Sequence, residues 1–376
     1  MLETLPFANF VPGWARALRL QPESKVCLAM LPTPLHEWRP PCLEPVGFAS
    51  CLIKRDDMSG GPDLGGNKVR KLELLLADAK ARGCDTILTI GGIQSNHCRA
   101  TAVAARLVGL DSSLILRVSD QHASDISDIG FGGNLLFGRL AGATVKTVTK
   151  RNYSRHGSDA LLRVEEARLI AAGKRPYVVP VGGSTALAAW GYLAAVQELL
   201  DQLAGRPPIE HIVVACGSGG TATAIALGVR LAGLRTRVHA IAVCDTPEYF
   251  YAHAEQCAAE LGVDLVEGGA VGLLTVHQGK GTGYGMSTAA ELRTLTQTAA
   301  ATGVTLDSTY TGKALHAFAE LACAAPELFR ETNVLFWHTG GAVGDAGGTL
   351  SGALAPMMPA GQVAPLLLAD GIPGPE

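Results

Sequence analysis

The stretch Leu64-Gly-Gly-Asn-Lys-Val-Arg-Lys-Leu-Glu73 sets a lysine, Lys68, directly behind Gly65-Gly66-Asn67. A helix is expected to start there, with Asn67 as N-cap and an apolar period running from Leu72 to Ala79. Cations in a first helical turn oppose the partial positive charge of the helix N-terminus. A local rule broken without visible compensation marks a functional site. The glycine pair lets the backbone approach another group closely, so Lys68 is the candidate for an amine aimed into a pocket. Arg70 and Lys71 are expected to carry their charges out to water.

Two further loops could hold an anion. Gly91-Gly-Ile-Gln-Ser-Asn-His97 follows an apolar strand and precedes an Ala-rich helix. It gathers a hydroxyl (Ser95), an amide (Asn96) and free backbone N–H groups, which suits a carboxylate or another anion. An ordinary turn with Ser95 or Asn96 as cap fits the same residues, and His97 reads as a helix-start histidine. Cys216-Gly-Ser-Gly-Gly-Thr221 again joins an apolar strand to an Ala-rich run. Amides of residues 217–221 and the Ser218 and Thr221 hydroxyls would hold a phosphate at a helix N-terminus. Asp245, beyond the next strand, would also suit a dinucleotide ribose. Only part of G-x-G-x-x-G is present, so at this point the phosphate's owner is open. Three more segments offer polar groups: Gly279-Lys-Gly-Thr-Gly-Tyr-Gly285 with Tyr284, Asp307-Ser-Thr-Tyr-Thr311 with Tyr310, and His338-Thr-Gly-Gly341.

The elements that must position these loops alternate along the chain. Strands are expected over 48–54, 86–90, 113–118, 144–149, 177–181, 211–216, 237–243 and 333–338, with Ala/Leu-rich helices between most of them. Such alternation predicts an α/β fold of right-handed βαβ units and mainly parallel sheets, with ligand sites at the C-terminal strand ends. From about residue 352 to 376 the chain is Pro, Gly and Ala with scattered Leu and Met, the composition of a flexible tail.

Composition excludes several classes of partner. The 376 residues are 48% hydrophobic and 17% charged, with a net charge of −3. That balance predicts a sizeable core and argues against nucleic acid or an anionic membrane surface as partner. No apolar run approaches the ~20 residues needed to cross a bilayer. The nine cysteines include no C-x-x-C pair and no His/Cys cluster at metal-ligand spacing. They read as reduced core thiols, with no metal expected. The N-terminus lacks a signal-peptide core; cytoplasm is the expected location, with Arg16 and Arg19 the only hint of an organellar presequence.

Taken in order, Lys54-Arg-Asp-Asp57, Gly65 to Glu73, Gly91 to His97, Val181-Gly-Gly-Ser184 with Trp190-Gly-Tyr192, Gly217 to Thr221, Tyr310-Thr-Gly-Lys313 and His338 to Gly341 carry a specific resemblance. From about Leu31 to Leu350 the chain resembles the pyridoxal-phosphate family that contains 1-aminocyclopropane-1-carboxylate deaminase and D-cysteine desulfhydrase. The resemblance implies the tryptophan-synthase-β-like fold, PLP fold type II, with two parallel-sheet α/β domains. It implies a large cofactor domain (1–71 and 183–351), a small inserted one (72–182), a homodimer and a small amino-acid substrate. By the same resemblance, Lys68 matches the lysine that carries pyridoxal 5'-phosphate, and Asn96 the partner of its phenolic oxygen. Gly217, Ser218, Gly219, Gly220 and Thr221 match the phosphate cup. Ser95, Tyr284 and Tyr310 match residues around the substrate, with Ser95 and the amides up to Asn96 and His97 at its carboxylate.

Thr311 and Thr339 bear on the reaction. The deaminases carry Glu and Leu at these places, and the desulfhydrases carry threonines. A carboxylate beside the pyridine nitrogen makes the ring a strong electron sink, whereas a hydroxyl makes a milder one. The resemblance therefore implies α,β-elimination from D-cysteine, a step in D-amino acid catabolism. Cyclopropane deamination, a sulfo-lyase acting on cysteate and a non-catalytic PLP- or nucleotide-binding protein are the alternatives. One departure from the plant-like pattern is Ser308, where a proline-valine pair usually precedes the tyrosine.

Overall fold

A strand such as Ile212-Val213-Val214, apolar at every position, must be covered on both faces, and that requirement organises the molecule. In the computed structural model, residues 2–120, 130, 132–265 and 268–345 are described. The strands are β1 (Thr4–Pro6), β2 (Ser24–Val26), β3 (Leu35–Glu37), β4 (Ser50–Arg55), β5 (Thr86–Gly92), β6 (Asp111–Val118), β7 (Thr144–Thr149), β8 (Pro176–Val178), β9 (His211–Cys216), β10 (Arg237–Ala242), β11 (Thr275–Gln278) and β12 (Asn333–His338). The helices are α1 (Lys68–Ala81), α2 (Asn96–Leu107), α3 (Gly133–Leu140), α4 (Lys150–Ala171), α5 (Ala186–Gln202), α6 (Gly220–Leu231), α7 (Pro247–Leu261), α8 (Ala289–Thr302), α9 (Thr311–Ala324) and α10 (Ala342–Asp345).

A six-stranded sheet has the order β11-β10-β9-β12-β4-β3, parallel except for the antiparallel edge strand β3. A four-stranded sheet, β7-β6-β5-β8, is parallel throughout. Every expected strand is present within a few residues. The strands that sequence reading missed, β1, β2, β3 and β11, have three or four residues each, too few for a period to register. The expected C-terminal tail lies outside the described residues.

Both faces of the larger sheet are buried. Along β12, Leu335 and Trp337 join the core under α5, α6 and α7, while Val334 and Phe336 join the one under α8 and α9. Helix α1 leaves the larger sheet's β4 and packs on α5 and α2.

Its first turn corrects the expectation for Arg70, which is 2% exposed. The Arg70 guanidinium binds Asp56 at 2.8 and 3.1 Å and Glu198 at 2.9 and 3.0 Å. Asp56 also accepts the Tyr192 hydroxyl at 2.8 Å and Trp337 Nε1 at 2.9 Å. Lys54, fully buried on β4, pairs with Glu198. A buried ion pair is tolerable only when its remaining hydrogen-bonding capacity is met, and here it is. This network ties β4, β12 and α5 to the third residue of α1, and so fixes where Lys68, two residues earlier, emerges.

Candidate active site

The C-terminal ends of the two sheets face a common cavity of about 520 Å³. β9 delivers Gly217 to Thr221, β12 delivers Thr339 and Gly340, β5 delivers Gly91 to His97, and β6 delivers Arg117. Lys68, Tyr284 and Tyr310 complete the wall.

Lys68 is the first residue of α1. Its Nζ lies 3.3 Å from the Gly182 carbonyl, and burial lowers its pKa to about 8, against a small opposing effect of the Cys98 thiol. Neither carboxylate of the buried network reaches it, so no anion offsets the effect of burial. Asn67 occupies the N-cap position but makes no side-chain cap. Its amide turns instead to the second loop and donates to Thr221 Oγ1 at 3.0 Å.

Lys71 overturns its expectation too. It is 2% exposed and donates only a long hydrogen bond, 3.4 Å, to the Gly182 carbonyl. Burial first, and then the Lys68 charge, hold its pKa well below the usual lysine value. A Cβ added to Gly220 would lie 3.0 Å from Lys71 Nζ, so the ammonium sits at the start of α6. The signal for it was available: i and i+3 share a helix face, so Lys71 had to follow Lys68 inward.

The Gly217 to Thr221 loop is a cradle that only glycines permit. A Cβ on Gly217 would meet the Tyr310 ring at 2.7 Å, one on Gly219 the His253 ring at 2.7 Å, and one on Gly220 Ser184 Oγ at 2.6 Å. Gly219 has φ +86° and no side chain caps α6. The helix therefore presents bare N–H groups beside a buried lysine amine that has no carboxylate partner among the described residues. Both features call for a dianion such as a phosphate. The Ser184 and Ser218 hydroxyls, 2.8 Å apart, border the same space.

Ser95 caps α2, accepting from the Cys98 amide at 3.2 Å, and also lines the cavity. Its two readings, cap and ligand residue, thus coexist at one side chain. Asn96 Oδ1 accepts from Asn134 Nδ2 at 2.9 Å. His97 is 4% exposed and hydrogen-bonds Thr89 Oγ1 through Nε2 at 2.8 Å. Burial and the charges of Lys68 and Lys71 hold it neutral. All three lie on the cavity wall.

Tyr284 and Tyr310 meet hydroxyl to hydroxyl at 2.6 Å. Burial raises the pKa of both; for Tyr284 the Tyr310 hydrogen bond and the Arg117 charge pull the other way. Ser308 does not loosen this arrangement. Its amide and hydroxyl bind Asp345 at 2.7 and 2.8 Å, and Asp307 accepts the Tyr310 amide at 2.9 Å. Thr339 lines the cavity, but Thr311 does not: it is fully buried and its hydroxyl is committed to Asp307. Sequence reading missed Lys71, Asp307, Arg117 and Tyr153; two of them had a signal, Lys71 in its helix face and Arg117 in its place at a strand C-terminus.

An aminated cavity with a phosphate cradle on parallel sheets defines a phosphate-cofactor enzyme of the α/β class. The chain belongs to the pyridoxal-phosphate dependent enzyme family, whose pattern matches residues 26–340. It is 46% identical over 338 residues to the mitochondrial bifunctional D-cysteine desulfhydrase/1-aminocyclopropane-1-carboxylate deaminase of Arabidopsis thaliana, covering 89% of this chain and 82% of that one. It is 34% identical to D-cysteine desulfhydrase of Salmonella choleraesuis, over 83% of this chain and 92% of that one. A crystal structure of an ACC deaminase homologue superposes with a TM-score of 0.75 at 29% identity, over 89% of this chain and 96% of that one.

Proposed function

We propose that the protein cleaves D-cysteine by α,β-elimination to pyruvate, hydrogen sulfide and ammonia. What carries this reading is the convergence of the Lys68 amine, the phosphate cradle and the tyrosine pair on one cavity, in a chain 46% identical to an enzyme named for that activity. Gly217 to Thr221, with Lys71, would hold the cofactor phosphate, Lys68 its carbonyl carbon and Asn96 its phenolic oxygen. Bound there, pyridoxal phosphate supplies the sink for the electron pair left at Cα. The Ser95 hydroxyl and the amides of the Gly91 to His97 turn hold the substrate carboxylate. The Lys68 amine, or else Tyr310 or Tyr284, would accept the Cα proton, and the tyrosine pair can pass a proton across its 2.6 Å contact. Hydrosulfide is a stable leaving group, so no strong acid is required. Water then completes conversion of the released enamine to pyruvate and ammonia.

A second reading is ring opening of 1-aminocyclopropane-1-carboxylate, since the Arabidopsis relative is named for both activities. Thr339, a threonine on the cavity wall where deaminases carry Leu, favours the first. We also take residues 1–71 with 183–351 and residues 72–182 as the two domains, which the membership of the two sheets supports, and the assembly as a homodimer. Among the described residues no helix is long and apolar enough to cross a membrane, and all nine cysteines are free. Free thiols suit a reducing compartment, and we place the protein in the cytoplasm.

Purified protein given D-cysteine, L-cysteine, cysteate and the cyclopropane amino acid, with pyruvate, sulfide, sulfite and 2-oxobutyrate assayed, tests the reading. Sulfide and pyruvate from D-cysteine are expected; preference for the cyclopropane substrate refutes it. Borohydride should trap the cofactor on Lys68, and a reduced adduct on Lys54 or Lys71 would displace that assignment.

A further inference from the structure

Tyr284 lies in a segment whose own side chains do not hold its ring. Gly279 to Gly285 alternates glycine with polar residues, and Gly281, Gly283 and Gly285 all take positive φ, at 58°, 155° and 70°. Tyr284 itself is 37% exposed. Hydrogen bonds from Gly283 N–H to Lys280 O and from Met286 N–H to Gly283 O close the turn, but with glycine on either side no neighbouring side chain of the segment holds the ring, and groups from elsewhere must. Two do so. Tyr310 meets its hydroxyl, with the rings edge to face at 5.9 Å. From the far side of the cavity, the Arg117 guanidinium lies 5.7 Å from the Tyr284 ring centroid.

Arg117 comes from the C-terminal end of β6, in the four-stranded sheet, and its backbone is fixed there by pairing with β5 and β7. Its guanidinium also lies 5.0 Å from the ring centroid of Tyr153, on α4. Among the described residues it has no carboxylate within ion-pair distance. A guanidinium within about 6 Å of a ring centroid is attracted by the ring face. Arg117 therefore joins aromatic groups from both sheets' surroundings across the cavity.

We propose that Arg117 is the positioning residue of Tyr284: backed by Tyr153, it pins the Tyr284 ring so that the hydroxyl stays paired with Tyr310 over the cavity. The proposal rests on the reading that this tyrosine pair serves the substrate. The cation also favours the phenolate of Tyr284, in line with the direction of its effect on that group. Losing it should leave the pair both less ordered and less acidic.

The test uses holoenzyme carrying Arg117→Gln, Arg117→Lys or Tyr153→Leu, each with and without Tyr284→Phe. With D-cysteine, Arg117→Gln should lower kcat about tenfold, the size of one cation–ring contact, with KM nearly unchanged and the alkaline limb of the pH profile moved upward. Arg117→Lys should recover part of the loss, and Tyr153→Leu should reproduce part of it. In the Tyr284→Phe background Arg117→Gln should add nothing to the kcat defect. An equal loss in that background, or a loss carried by KM alone, overturns the proposal, the latter by making Arg117 a substrate-anion site. Ultraviolet titration of the phenols, taken as the difference between each protein and its Tyr284→Phe partner, reads the same relation without turnover. Arg117→Gln should shift the Tyr284 ionisation to higher pH, and an unmoved ionisation refutes the positioning role. Should wild type leave D-cysteine untouched while that shift is seen, the substrate reading fails and the positioning stands.

Discussion

Asp307 Oδ1 accepts the Thr311 hydroxyl at 2.7 Å and the Thr311 amide at 2.8 Å, and Asp307 Oδ2 accepts the amides of Thr309 and Tyr310 at 3.1 and 2.9 Å. The carboxylate thereby builds the start of α9 and aims Tyr310 into the cavity. Burial and the neighbouring Asp345 raise its pKa to about 6, against these hydrogen bonds.

The two threonines therefore separate. Thr311→Glu would set a second carboxylate against Asp307 in a buried site, and should destabilise the fold by about 2 kcal/mol or more before it alters any cofactor. Thr339→Leu, on the cavity wall, should leave stability nearly intact while lowering sulfide release relative to 2-oxobutyrate formation. Thermal unfolding and the product ratio measure the two effects. A fully stable Thr311→Glu protein with raised ring-opening activity would show that this glutamate can leave Asp307 for the cavity.

Ser95→Ala should cost stability and turnover unequally. The hydroxyl caps α2 through a 3.2 Å bond, worth about 1 kcal/mol of stability. Its contact with a charged substrate group is worth about 1.5–3 kcal/mol, or roughly tenfold to a hundredfold in kcat/KM. Cofactor affinity should change little, since phosphate cradle and lysine remain. Loss of cofactor with normal turnover of the residual holoenzyme would make Ser95 a cofactor ligand.

Lys71→Met should act in opposite directions on the two states. Without a phosphate the buried Lys71 amine, whose one hydrogen bond is a long one to the Gly182 carbonyl, is a cost, so the cofactor-free variant should melt at a higher temperature than cofactor-free wild type. With the phosphate present, losing a charge-assisted contact should weaken cofactor binding by about 1.5–3 kcal/mol. Calorimetry of both forms and a cofactor titration check it, and unchanged affinity would place the ammonium away from the phosphate.

A string of imidazoles crosses the larger sheet. His211 Nδ1 lies 3.0 Å from His239 Nε2, and His239 Nδ1 lies 2.9 Å from His277 Nε2, packed against Phe318 and Phe329. Burial lowers all three pKa values, His239 to about 3; the Arg237 charge adds to the effect at His211 and His239, and Glu210 opposes it at His211. A folded-state pKa below the unfolded value contributes stability that is complete above the unfolded pKa of about 6.5 and is lost as pH falls towards the folded one. Unfolding free energy should therefore drop between pH 6.5 and 4, and His239→Gln should flatten that drop. An equal slope in the variant would remove the string from the acid response.

The apolar strands, their alternation with helices and the glycine loops were legible in the chain, because hydrophobic period and backbone permissiveness are local properties. So was Lys68, whose neighbours Gly65, Gly66 and Asn67 declare it within a few residues. The family resemblance rested on the same local runs. What the residues could not announce is the fate of each polar side chain once distant segments meet. Arg70 and Lys71 read as solvated because their partners, Asp56, Glu198 and the Gly182 carbonyl, lie up to 128 positions away. Asn67 reads as a cap because Thr221, which takes its amide, belongs to another sheet strand's loop. Thr311 reads as a cofactor contact until Asp307, four residues earlier, folds back and claims its hydroxyl. Burial and hydrogen-bond satisfaction are set by the packed whole, and only the tertiary structure allocates them.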